Sequence, residues 1–183
     1  MAPTCLYPGT FSPPTYGHLA VTRHAAEILP HVTIICSVDA NKRPLFTMDE
    51  ALALWGAYRL PPNADVKTFE DARASGMDLT RIIMIRGMRG ESDADREIRV
   101  ALQNRRDYGI SRFLYVMADD ELLDVSSTAA RDAAARLDFQ ALGRMVAPLV
   151  VSALLERTFG LANVFLVTGR PGGGKSTLLR TFN

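Results

Sequence analysis

The chain has 183 residues, 48% of them apolar and 22% charged, with a formal net charge of +1. That length suits one domain plus something small. Near-neutral charge gives no electrostatic case for nucleic-acid or membrane binding, and no apolar run approaches the roughly 20 residues a membrane span needs.

Residues 4–7 read as a short apolar strand, followed by the loop Tyr7-Pro8-Gly9-Thr10-Phe11-Ser12-Pro13-Pro14-Thr15-Tyr16-Gly17-His18. Residues 18–29 place Val21, Ala25, Ile28 and Leu29 on one helical face and stop at Pro30. Residues 32–38 are a β-branched run of buried-strand type, and 39–46 form a loop. Thr47-Met48-Asp49-Glu50 is a capping box opening a helix to about Leu60, before Pro61-Pro62. Residues 65–69 read as a short strand, and 70–80 stay ambiguous because Gly76 breaks any helix. A strand at 81–86 leads through a loop at 87–91 to Ser92-Asp93-Ala94-Asp95, which caps a helix to about Arg106 with Ala94, Ile98, Ala101 and Leu102 inward. A strand at 112–117 and helices at 126–138 and 146–157 complete the series. Strand and helix alternate, so the expected fold is α/β, a doubly wound parallel sheet. Ligands in such sheets bind beyond the carboxyl ends of the strands. There the loops after Tyr7, Val38, Arg86 and Met117 converge.

The first residues lack the basic and apolar regions of a secretory signal. Cys5 and Cys36 each fall in a predicted buried strand, which fits reduced, structural thiols and a cytoplasmic setting. Two cysteines and three scattered histidines make no metal-ligand spacing, so no metal ligand is assigned. Only three of the 21 basic residues are lysines: Lys42, Lys67 and Lys175. Two of them sit in loops that other features assign to phosphate.

Four segments carry candidate chemistry. Thr15-x-Gly17-His18 puts free backbone N–H groups and one imidazole at a helix start, where phosphate is attracted. Asn41-Lys42-Arg43 is a basic loop. Arg86-Gly87-Met88-Arg89 sets two guanidinium groups at a strand end, suited to bidentate phosphate contact. Ser126-Ser127-Thr128 offers hydroxyls at a helix start, fit for phosphate oxygens and for plain N-capping alike. His24 and His31 read as surface residues and Trp55 as core. Near residues 158–162 a boundary separates a domain at 1–157 from 158–183. The second part has a strand at 163–168, then a G-x-x-x-x-G-K-S match through Gly169, Gly174, Lys175 and Ser176, then a helix start. It is expected to be the truncated beginning of a P-loop kinase-like domain.

The Thr15-x-Gly17-His18 loop resembles the T/H-x-G-H signature of the nucleotidyltransferase superfamily, and Tyr7-Pro8-Gly9-Thr10-Phe11 is similar to phosphopantetheine adenylyltransferases in particular. The Arg86–Arg89 block, the lysine-bearing loop and Val125-Ser126-Ser127-Thr128-x-x-Arg131 resemble the same family, in its order, over about residues 1–157. The resemblance implies a Rossmann-like nucleotidyltransferase fold and adenylyl transfer from ATP, with Mg2+, to 4′-phosphopantetheine. By it, His18, Lys42 and Arg89 are catalytic. Thr10, Phe11, Gly17, His18, Gly87, Met88, Arg89, Glu97, Leu122, Leu123, Asp124, Val125, Ser126, Ser127 and Thr128 meet ATP. Thr10, Lys42 and Arg86 meet the acceptor. It also implies a homo-hexamer. The chain departs from the family at Ser12, usually Asp, at Arg96, usually aromatic, and in the polar segment 70–80, where the family is apolar. The alternatives are another acceptor, such as nicotinamide mononucleotide, and a non-catalytic ATP-binding regulatory domain.

Overall fold

The computed structural model describes residues 3–37, 44–76 and 81–160. Five strands form one wholly parallel sheet: β1 (Thr4–Gly9), β2 (Val32–Cys36), β3 (Ala64–Thr68), β4 (Ile82–Met88) and β5 (Phe113–Met117). Their spatial order is β3-β2-β1-β4-β5. The chain builds outward from β1 in one direction and then returns to build β4 and β5 on the other side. The crevice between β1 and β4 is therefore the topological switch point, where α/β sheets bind ligands. Around the sheet run α1 (Tyr16–Ile28), α2 (Met48–Trp55), α3 (Phe69–Ala74), α4 (Glu91–Tyr108), α5 (Ser127–Ala135), α6 (Phe139–Met145) and α7 (Pro148–Phe159).

The two faces of the sheet are unequally covered. Successive side chains of a strand point to opposite faces. In β1, Cys5 and Tyr7 join the larger core and Leu6 the smaller. The larger core gathers Val21 and Ala25 of α1, Leu54 and Trp55 of α2, and Leu142, Val150 and Leu154 of α6 and α7. Fully burying each of the valine and leucine side chains among these contributes about 1.5–3 kcal/mol. The smaller core is built by Leu6, Ile35, Ala72, Ile82, Met84 and Ile110. Both cysteines are buried free thiols, and Trp55 is core, as expected.

Several boundaries differ from the sequence-based expectation. α2 ends at Trp55, short of Leu60, and Gly56 caps it. β3 stops at Thr68, whose side chain caps α3 through Asp71 N–H, so Phe69 opens a helix where a strand was expected. β4 runs on through Gly87 and Met88, because both pair in register with β5. α4 begins at Glu91 after Gly90, with no side-chain cap. α6, capped by Asp138, was not foreseen. The largest difference is in α4. Ile98 and Leu102, expected inward, are 54% and 55% exposed, and Glu97 is turned to the sheet and buried.

Candidate active site

The loop from β1 to α1 crosses the carboxyl end of the sheet at the switch point. Thr15 is the N-cap of α1, and its side chain accepts from His18 N–H. Thr15 N–H donates in return to His18 Nδ1 at 3.1 Å, and Thr15 Oγ1 lies 3.0 Å from the same nitrogen. This is a capping box in which an imidazole takes the place of the usual Glu. With Nδ1 accepting, the ring proton sits on Nε2, which is left to donate outward. Phe11 meets the ring edge-on at 5.0 Å, so its rotation is restricted. Burial, and then the charge of Arg89, push the His18 pKa down to about 4. The group is a neutral hydrogen-bond donor at neutral pH.

Phe11 holds the loop from inside. It is buried and has φ of 42°, an uncommon conformation for a non-glycine residue. Its ring packs against Tyr7, Trp55 and Gly9. A Cβ at Gly9 would lie 2.7 Å from that ring, so only glycine admits it. Four hydrogen bonds from distant segments fix the rest. Arg131 Nη1 donates to Ser12 O at 2.6 Å and Ser127 Oγ to Pro13 O at 2.7 Å. Tyr58 OH donates to Pro14 O at 2.8 Å, and Phe46 N–H to Ser12 Oγ at 3.1 Å. Ser12, where the family usually has Asp, thus accepts the backbone N–H of Phe46.

Across the crevice, β4 supplies the arginines. Arg86 binds Glu97 through two hydrogen bonds, Nε to Oε2 at 2.5 Å and Nη2 to Oε1 at 3.0 Å. Glu97 is buried, which explains the inward turn of α4. Arg89 bonds Asp93 through its backbone N–H at 3.0 Å and its Nε at 3.2 Å, and these contacts hold the Asp93 pKa below its ordinary value. Gly87 lies between them against α1. A Cβ there would come within 2.9 Å of Val21 Cγ2 and 3.6 Å of the Tyr7 hydroxyl. Close packing of α1 on β4 at the switch point therefore requires glycine.

The third wall is the start of α5. Leu122 closes a short 3-10 turn, and Val125 is in the core with its carbonyl beside Gly17. Leu123 is 42% exposed, and Asp124 is exposed too. The hydroxyls of this segment already have partners. Ser126 caps α5 through Ala129 N–H, Ser127 fastens the loop, and Thr128 accepts from Arg131 Nη2. Structural capping and nearness to the site thus hold together, as the sequence allowed.

The structure brings together Thr10, Phe11, Gly17, His18, Arg86–Arg89, Glu97 and the 122–128 segment around the β1/β4 crevice. It places Arg86 and Glu97, assigned by resemblance to different substrates, against each other. Lys42 and the P-loop residues Gly169, Gly174, Lys175 and Ser176 lie outside the described residues. His24 is at the surface, bonded to Asp119 at 2.8 Å. Sequence reasoning gave no role to Tyr58, placed Asp93 only in a segment expected to cap α4, and quoted Arg131 only as part of the 125–131 motif. Arg131 had a local signal, four residues after Ser127 on one helix face. Tyr58 had none.

Comparison with known proteins fits this geometry. Residues 6–133 match the cytidylyltransferase-like family model. A phosphopantetheine adenylyltransferase of Opitutus terrae is 35% identical over 162 residues, covering 85% of this chain and 97% of that protein. The chain belongs to the phosphopantetheine adenylyltransferase family. Another phosphopantetheine adenylyltransferase, from Aquifex aeolicus, is 31% identical over 86% of this chain and 97% of its own. In fold, the chain is similar to the Plasmodium falciparum nicotinic acid mononucleotide adenylyltransferase complexed with NaAD. That match has a TM-score of 0.63 at 14% identity, over 87% of this chain and 97% of that one.

Proposed function

We propose that this chain transfers the adenylyl group of ATP to 4′-phosphopantetheine, yielding dephospho-coenzyme A and pyrophosphate. The observation that carries the reading is the locked imidazole of His18, donating from Nε2 at the switch point of a chain in this family. An acceptor phosphate oxygen attacks the α-phosphorus of ATP, and the bond from that phosphorus to the oxygen bridging to the β-phosphate breaks. Negative charge grows on the non-bridging α-oxygens and on the leaving pyrophosphate. A fixed neutral donor at His18 Nε2 stabilises the first without desolvating a cation. Arg89 faces the second, and Lys42 is assigned to bridge the two substrates.

Arg86 would take the acceptor phosphate, which must then compete with Glu97 for the same guanidinium. The carboxylates of the crevice, Asp93 and Glu97, are engaged by arginines, so they do not form a protein cage for a divalent ion. Mg2+ enters as part of the substrate, carried on the ATP phosphates with its own waters, its common habit. Among the described residues no helix is long and apolar enough to cross a membrane. We place the enzyme in the cytoplasm, as a homo-oligomer. The test is pyrophosphate release from MgATP with 4′-phosphopantetheine, using nicotinamide mononucleotide as the control acceptor. Turnover with the first acceptor alone supports the reading, and silence with it, despite ATP binding, overturns it.

A further inference from the structure

Two of the four bonds that fasten the β1–α1 loop come from residues on either side of α2: Phe46 ahead of it and Tyr58 beyond it. Each of these residues is in turn held by one end of α7. At the start of α7, the N-cap Ala147 donates its N–H to the Tyr58 hydroxyl at 3.3 Å, and that hydroxyl donates to Pro14 O at 2.8 Å. In the last turn of α7, Arg157 bonds Glu50 Oε1 of α2 through Nη2, and its guanidinium carbon stands 5.9 Å from the centre of the Phe46 ring. Phe46 N–H donates to Ser12 Oγ at 3.1 Å. The helix therefore reaches the loop by two routes, one arriving at Ser12 and the other at Pro14.

A cation in the last turn of a helix and a carboxylate in the first turn of another each suit the dipole of their own helix. The pair Arg157–Glu50 has that character, but the guanidinium also covers the one ring whose backbone feeds Ser12. Phe46 is 4% exposed and Ser12 3%, so the hydrogen bond between them is buried and water does not stand in for it. Its geometry depends on where Phe46 is held. The helix behind Arg157 is a firm support, because Val150, Val151, Leu154 and Leu155 anchor it in the larger core.

We propose that Arg157 is a positioning residue for adenylyl transfer, fixing Phe46 and, through Phe46 and Ser12, the loop that aims His18. It is given no substrate contact. The inference rests on the proposed function and adds to it a residue of the C-terminal helix. One arm of its test reads the enclosure of His18 directly, so its failure is separable from a failure of the adenylyl-transfer reading.

Arg157→Gln removes the cation from both Glu50 and the Phe46 ring. Partly exposed cation contacts are modest, so kcat for pyrophosphate release should fall about three- to tenfold, with ATP affinity and the circular dichroism spectrum unchanged. Arg157→Lys, which keeps a cation in place, should recover most of the loss. In a Ser12→Ala background the route is already cut, and Arg157→Gln should cost nothing further, whereas a purely structural role would add its cost independently. Without any turnover assay, the His18 ring resonances of Arg157→Gln should begin to titrate above about pH 5, because a loosened loop admits water to the ring. An unchanged kcat in an active enzyme, additivity with Ser12→Ala, or an unchanged His18 titration would each overturn the assignment. A native chain without turnover would overturn the adenylyl-transfer reading, and the His18 titration would then decide the route on its own.

Discussion

The two helices that flank the crevice are built on opposite plans. α1 enters through a reciprocal cap, buries one face in the large core, and follows a loop fastened by four long-range hydrogen bonds. α4 starts at Glu91, after Gly90 and without a side-chain cap, exposes its apolar stripe, and turns a buried carboxylate onto Arg86. The difference matches the two tasks proposed above for His18 and Arg86. A donor to the transition state must be fixed before the substrate arrives, because reorganisation during reaction raises the barrier. An arginine that receives a phosphate must give up an existing partner, and one bound by an ion pair can exchange it.

The comparison breaks most severely at Arg86. Arg86→Ala strands Glu97 as a buried unpaired carboxylate and should cost roughly 3–5 kcal/mol in denaturant unfolding. Arg86→Met with Glu97→Met removes both charges and should recover most of that stability, with the acceptor KM still raised. If the double variant is as unstable as the single one, the pair contributes more than mutual neutralisation.

On the α1 side, His18→Ala should lower kcat about 10²–10³-fold with little change in ATP affinity, the size seen when one fixed transition-state donor is lost. It also removes the cap, at about 1 kcal/mol of stability. An unchanged kcat would remove His18 from the chemistry.

A smaller effect tests the fastening of the loop. Tyr58→Phe leaves Pro14 O without its donor and Ala147 N–H without its acceptor, both buried, and should cost about 1–3 kcal/mol. It should lower kcat more than it changes ATP affinity, since it loosens the loop that aims His18.

The last test is a pH dependence. His18 titrates at about 4, below the ordinary 6.5, so the unfolded chain takes up this proton first as pH falls. The stability contributed by a neutral His18 is complete above pH 6.5 and is lost as pH falls from there through 4. Relative to His18→Gln, the native chain should lose stability across that window, and the His18 ring resonances should show no titration above pH 5. Titration near 6.5 would mean that the ring is not enclosed.

Local chemistry made much of this legible in the sequence. The Thr47–Glu50 box caps α2 as written, and the Thr15-x-Gly17-His18 loop stands at a helix entry in the switch crevice. The orientation of α4 was not legible, because its apolar period alone argues for Ile98 and Leu102 inward. A charged pair between β4 and α4 decided it instead, and periodicity counts only apolar residues. The link from Tyr58 to Pro14 spans 44 positions and leaves no local mark at either end. α6 is seven residues long, too short for its period to stand out.

The fastening of the β1–α1 loop has a consequence for synthesis of the protein. Its four outside bonds come from 34, 44, 114 and 119 residues downstream. A ribosome must therefore have released Arg131, in the first half of α5, before this loop can make all four of its outside bonds. A nascent or proteolysed fragment that stops before Arg131 carries every letter of the histidine motif without the enclosure that aims it. The enclosure of His18 thus waits on contacts made far down the chain, although the motif itself is translated early.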